Sequence, residues 1–146
     1  MPGQCPGFDD RARSVLGGAQ ERWLAEGWSR DRPWNLLLQQ TLVAPRRRPG
    51  GRVWTDGWDG YPGARERLLA PVAAQGLSGV VVLGGDIHAH VVADLRARAD
   101  DPRSPVLASE FCGSSISSRG GEQSAMDTAL RLNPEWHYAR ADQRGA

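Results

Sequence analysis

Three side chains able to hold a metal or handle a proton stand at alternating positions near mid-chain: Asp86, His88 and His90. One carboxylate and two imidazoles suit metal coordination, phosphate contact and proton transfer near neutral pH. They follow Val80-Val81-Val82-Leu83-Gly84-Gly85. Four consecutive apolar residues, three of them β-branched, predict a short strand buried on both faces of a parallel or mixed sheet. The two glycines then let the backbone turn tightly. If the chain runs on extended, side chains two apart project to one side, and the three groups leave the strand's carboxyl end together. Ligand sites of α/β proteins lie at such ends. The plain alternative is a Gly-Gly-Asp turn with surface histidines.

The elements that must position this segment follow from periodicity. Residues 1–10, rich in Gly, Pro and Asp, read as an extended lead-in. From Asp10 to about Glu26, Val15, Leu16, Ala19, Trp23 and Leu24 recur at helical steps, with Asp9 or Asp10 as cap and Gly27 as stop. Trp34 to Ala44 is apolar enough for a second buried strand, and Arg46 to Arg52 form a basic, solvated loop. Val53 to Pro62 alternates Trp54, Trp58 and Tyr61 with Asp56 and Asp59. It reads either as a pocket wall or lid, or as an Asp-Gly turn held down by its own tryptophans. A helix runs from Pro62 to Gly76, with Arg65 on the inner spacing and Glu66 and Arg67 toward solvent. Val91 to Leu95 and Val106 to Cys112 are further strands, and Ala125 to Leu132 is a short helix. His137 reads as a surface residue. The order of helices and strands makes an α/β or α+β protein.

Composition narrows the function classes. The chain has 146 residues, 40% of them hydrophobic, enough for one domain with a core. Its 18 basic residues, all Arg, nearly balance 17 acidic ones, so no overall charge calls for nucleic acid or a membrane surface. No apolar run reaches the ~20 residues of a membrane span, and the expectation from the N-terminal residues is no signal peptide. Cys5 and Cys112 do not make a disulfide framework. The run Gly113-Ser114-Ser115-Ile116-Ser117-Ser118 lacks the second glycine of a nucleophile elbow.

Four stretches in order resemble one family: Leu16-Gly17-x-x-Gln20-x-x-Trp23-Leu24, Trp34 through Gln40, Trp58-Asp59-Gly60-Tyr61-Pro62 with Arg65, and Gly85-Asp86-Ile87-His88. With Glu110-Phe111, the Ser-Ile-Ser-Ser run and Asn133-Pro134, they are similar to the PhoD-like alkaline phosphatases, a branch of the calcineurin-like metallophosphoesterases. The resemblance implies the C-terminal part of a four-layer α/β/β/α sandwich, with Asp86 and His88 as metal ligands. It implies iron and calcium as the metals, a phosphate ester as substrate and a metal-activated water as nucleophile. Gln40 falls where the superfamily has a further ligand, Asp59 near the substrate opening, and His90 within reach of phosphate. The family's early Asp, Gly-Asp and Asn motifs are not among these residues, so residues 1–146 read as a partial domain. The expectation is a chain that pairs with an upstream polypeptide or with itself to complete the sheet and site. The competing expectations are a non-catalytic remnant and, through the arginine loop, a nucleic-acid binder.

Overall fold

The structure is a computed structural model that describes Gly7, Phe8 and residues 10–145. Most of the expected lead-in, Asp9 and Cys5 lie outside the described residues. The first helix, α1, spans Gly18–Gly27, eight residues shorter at its start than the spacing predicts. Gly17 sits at φ 80°, in the left-handed region, and breaks the helical path. The Ser14 hydroxyl accepts from the Gly17 N–H at 2.7 Å and donates to Glu21, so the apolar residues before it pack from a turn.

The expected strand over 34–44 shortens in the same way. Only β1, Asn35–Leu38, is paired, and it forms the sheet edge. Residues 41–45 are buried but irregular. The second helix, α2 (Pro62–Gln75), matches expectation at both ends. Pro62 opens it, and Gly76 closes it in the left-handed conformation, with the Leu77 N–H on the Val72 carbonyl. Arg67, expected to face solvent, instead reaches Glu21 of α1 at 2.7 Å and ties the two helices. The strands β2 (Val80–Gly84), β3 (His90–Arg96) and β4 (Val106–Cys112) are where the apolar runs put them. Helix α3 spans Gln123–Leu132, and β5 spans Trp136–Arg140. Strand β5 carries no apolar run of its own; it forms because β3 offers it an antiparallel edge.

The sheet order is β1-β2-β4-β3-β5, with β1, β2 and β4 parallel and β3 antiparallel to both its neighbours. One face carries Val80, Val82, Ala108, Cys112, Val91, Ala93 and Leu95 into the core beneath the helices. The opposite face is open, so β2 is not buried on both faces as its apolar run predicts. By register, Leu36, Leu38, Val81, Leu83, Phe111, Val92 and Tyr138 share that open face. Leu36 is 61% and Leu38 71% exposed. Among the described residues one sheet and one helix layer are therefore present, half of a four-layer sandwich. Among the described residues no helix is long and apolar enough to cross a membrane.

Candidate functional site

The irregular segment after β1, residues 39–47, is a strap laid over the carboxyl end of β2. Its crossing point is Gly84-Gly85: a Cβ on Gly84 would collide with the Thr41 carbonyl, and Gly85 faces the Gln40 carbonyl. Buried backbone outside regular structure needs partners, and here distant side chains supply them. The Thr41 N–H donates to Gln39 Oε1 at 3.1 Å, and Trp58 Nε1–H to the same oxygen at 3.1 Å. The Val43 and Ala44 N–H groups both donate to the Glu110 carboxylate, each at 2.7 Å. The Arg46 N–H goes to Asp59 Oδ2 at 2.8 Å and the Arg47 N–H to Asn133 Oδ1 at 2.8 Å, while Trp136 Nε1–H caps the Pro45 carbonyl at 2.9 Å. The same arrangement draws Arg46 and Arg47 inward, Arg47 onto Glu135 at 2.5 Å, so only residues 48–52 of the basic loop are fully exposed.

Beside the strap, Gly85 to Ala89 is a bent loop and not a continued strand. Asp86 (φ 69°) and His88 (φ 55°) both lie in the left-handed region, which favours glycine. The alternation argument for 86, 88 and 90 therefore fails, because the two-residue period belongs to extended backbone alone. Asp86 is exposed and receives the Thr41 hydroxyl on Oδ2 at 3.2 Å. His88 is exposed, with Nδ1 3.1 Å from the Arg119 carbonyl oxygen. A carbonyl only accepts, so Nδ1 carries a proton, and in the neutral ring Nε2 keeps its lone pair. His90, half-buried at the start of β3, is the reverse. Its Nδ1 accepts from the Ser114 N–H at 3.3 Å, which leaves Nε2 as the donor of the neutral ring.

The remaining candidates are placed apart. Gln40 is exposed on the strap, next to the Gln39 that does the internal bonding. Asp59 has both oxygens engaged: Oδ2 by the strap, Oδ1 by Arg65 at 2.5 Å in a pair almost closed to solvent. The Trp-Asp loop is thus held down by Trp58, as the turn reading has it. Sequence reasoning missed Thr41, Glu110, Ser114 and Arg119. Glu110 had a signal, since alternation along β4 puts it between Ala108 and Cys112 on the inner face. It is 0% exposed, and burial pushes its carboxyl up to about 7 against the pull of the two strap N–H groups. Burial likewise pushes the Cys112 thiol up to about 12, which keeps it protonated and inert.

A metal centre can be tested against these donors. Asp86 has an oxygen and His88 a ring nitrogen free, both suitable for iron or, for the carboxylate, calcium. Among the described residues, however, no group of three His, Cys, Asp or Glu side chains stands close enough to hold an ion. The residues present fit part of a coordination sphere and do not close one.

Comparisons with known proteins give the chain's relatives. The chain is 34% identical over 140 residues to alkaline phosphatase D of Bacillus subtilis (strain 168), covering 91% of this chain and 24% of that protein. A solved structure of PhoD superposes with a TM-score of 0.86 at 32% identity, over 97% of this chain and 28% of the other. The chain thus spans about a quarter of the length of the relatives it matches. The sequence pattern of the PhoD-like phosphatases matches residues 1–146 throughout. By that match, and by a fold that superposes on PhoD, the chain belongs to the PhoD-like phosphatase family.

Proposed function

We propose that this chain carries part of the centre of a metal-dependent phosphoric ester hydrolase, active on phosphomonoesters or phosphodiesters. What supports this most directly is the opposed tautomers that the hydrogen-bond partners assign to the neutral rings of His88 and His90, close in sequence to Asp86. An imidazole with a free Nε2 lone pair is a ligand, and one with an Nε2–H is a donor to a phosphate oxygen. In this reading Asp86 and His88 each hold a metal, iron and calcium by family likeness. When bound, the metals supply an activated water and neutralise charge on the phosphate. The chain's own contribution is orientation. The Arg119 carbonyl fixes the His88 tautomer, the Thr41 hydroxyl holds one Asp86 oxygen, and His90 donates to the ester. Gln40 and Asp59 stand apart from these donors on and beneath the strap, which Asp59 anchors through the Arg46 N–H.

The other ligands come from a polypeptide outside residues 1–146 or from a second copy. The open sheet face supports that reading, because contiguous exposed apolar surface marks an interface, and a second sheet stacking at about 10 Å would bury it. The test is hydrolysis of bis-p-nitrophenyl phosphate with iron and calcium added, by the chain alone and beside Asp86→Ala and His88→Ala. Turnover abolished in both variants is the expected result. A folded chain whose turnover is untouched by either change would defeat the assignment. The second reading, a non-catalytic remnant, draws on the absence of a three-ligand group among the described residues. It predicts a folded chain with no turnover under any metal, with or without an upstream polypeptide added to complete the site.

A further inference from the structure

Glu110 lies on the middle strand of the sheet, wholly buried, and its carboxylate is spent on two backbone N–H groups of another segment. A buried carboxylate is costly, and nothing in core packing requires one on β4, where Ala108 and Cys112 flank it. Its effect is to fix Val43 and Ala44, both buried, at one height above the sheet. Two residues earlier on the same strap, Thr41 is clamped by Gln39 and pressed against Gly84. From there its hydroxyl reaches Asp86 Oδ2 at 3.2 Å. The path from Glu110 to Asp86 therefore runs through backbone held at both ends, with no flexible side chain except the Thr41 hydroxyl.

We infer that Glu110 is a positioning residue for Asp86, acting through the strap and the Thr41 hydroxyl. This rests on the reading that Asp86 belongs to the functional centre, but the coupling itself concerns geometry and can be read without turnover. A carboxylate with both oxygens on backbone donors accepts twice from fixed directions. Glutamine at the same place accepts once and points an amide N–H at the other donor, so the strap must lift at one of its two anchors. Asp86, with φ 69°, has the Thr41 hydroxyl as the one hydrogen-bond partner of its carboxylate among the described residues.

The experiment is carbon-detected NMR of the Asp86 carboxyl carbon, with amide hydrogen exchange at Val43 and Ala44, on the full chain at mildly alkaline pH. Thr41→Val removes the hydroxyl at constant size and must move the Asp86 signal; Thr41→Ser must restore it. Glu110→Gln must speed exchange at Val43 or Ala44 by about 10- to 100-fold, the loss expected for a charged acceptor. It must also move the Asp86 signal in the direction of Thr41→Val. Glu110→Asp, which withdraws the carboxylate by one methylene, must do the same more weakly. Strap amides released with Asp86 unmoved would make Glu110 a purely structural residue and overturn the inference, as would an Asp86 signal indifferent to Thr41→Val. Should neither Glu110 variant fold, rising sub-denaturing urea on the unaltered chain decides. The Val43 and Ala44 amides and the Asp86 signal must then respond together, and independent movement overturns the coupling. Turnover untouched by Asp86→Ala would refute the proposed function and leave this result standing.

Discussion

Two carboxylate-bearing loops of this protein follow opposite designs. Around Asp59 the loop is pinned by the buried Trp58, and both carboxylate oxygens are taken, one by Arg65 and one by the strap. Around Asp86 the loop is exposed, its backbone is held at positive φ, and only one oxygen has a protein partner. A carboxylate with both oxygens engaged stabilises the fold; one with an unengaged oxygen and a strained backbone is positioned for a ligand from outside. From sequence both were Asp beside glycine in a loop with aromatic or histidine neighbours. The difference lies in what converges on them.

Substitution can break that contrast. The largest effect is expected for Asp59→Ala, which leaves the buried Arg65 guanidinium without its counter-charge and the Arg46 N–H without its acceptor. A loss of about 3–5 kcal/mol in urea unfolding follows from breaking such a pair from one side. A loss below ~1 kcal/mol would mean that the pair is not closed to water as described.

Next comes the pH dependence carried by Glu110. Its folded carboxyl stands near 7, above the ordinary value of 4.5. Between those values the unfolded chain releases the proton and the folded chain keeps it. The group's contribution is therefore full below 4.5 and declines as pH rises through 7. Relative to Glu110→Gln, the unaltered chain should lose up to about 3 kcal/mol over that window, at 1.36 kcal/mol per unit. A difference that stays flat with pH would show that the two strap N–H groups offset burial in full.

The open face gives a third, intermediate test. With Leu36 and Leu38 on its edge, the isolated chain should self-associate. Light scattering should show this reduced in a Leu36→Glu, Leu38→Glu double variant. A chain already monomeric at high concentration would mean that the face is not an interface.

The smallest stability effect is expected at the exposed loop. Asp86→Gly relieves the positive φ while adding chain entropy to the unfolded state, a net change under about 1 kcal/mol. Turnover, where the chain shows any, should vanish. If this variant instead unfolds the protein as Asp59→Ala does, the two loops are not different in kind.

Helix α2, strands β2, β3 and β4, and the Gly76 cap were legible because each depends on local spacing and on residues with one dominant conformational use. The Asp-x-His pair was legible as chemistry for the same reason: side-chain types carry their donors with them. Helix α1 was read too long because apolar spacing does not register the left-handed φ at Gly17. The strand over 34–44 was read too long because apolar content is equally high in a strand and in a buried strap. Strand β5 was invisible, since its pairing comes from β3 and not from its own residues.

The sequence by itself determined the family, the α/β class and the residue types at the strand end, all of which are properties of short segments and their order. Only the tertiary structure decided which carboxylate is anchored and which is free, which nitrogen of His88 and His90 bears the proton, and why Glu110 is buried. Each of these depends on a donor or acceptor brought from a distant part of the chain: Arg119 to His88, Ser114 to His90, Val43 and Ala44 to Glu110. Hydrogen-bond satisfaction is a three-dimensional condition, and no periodicity in one dimension encodes it.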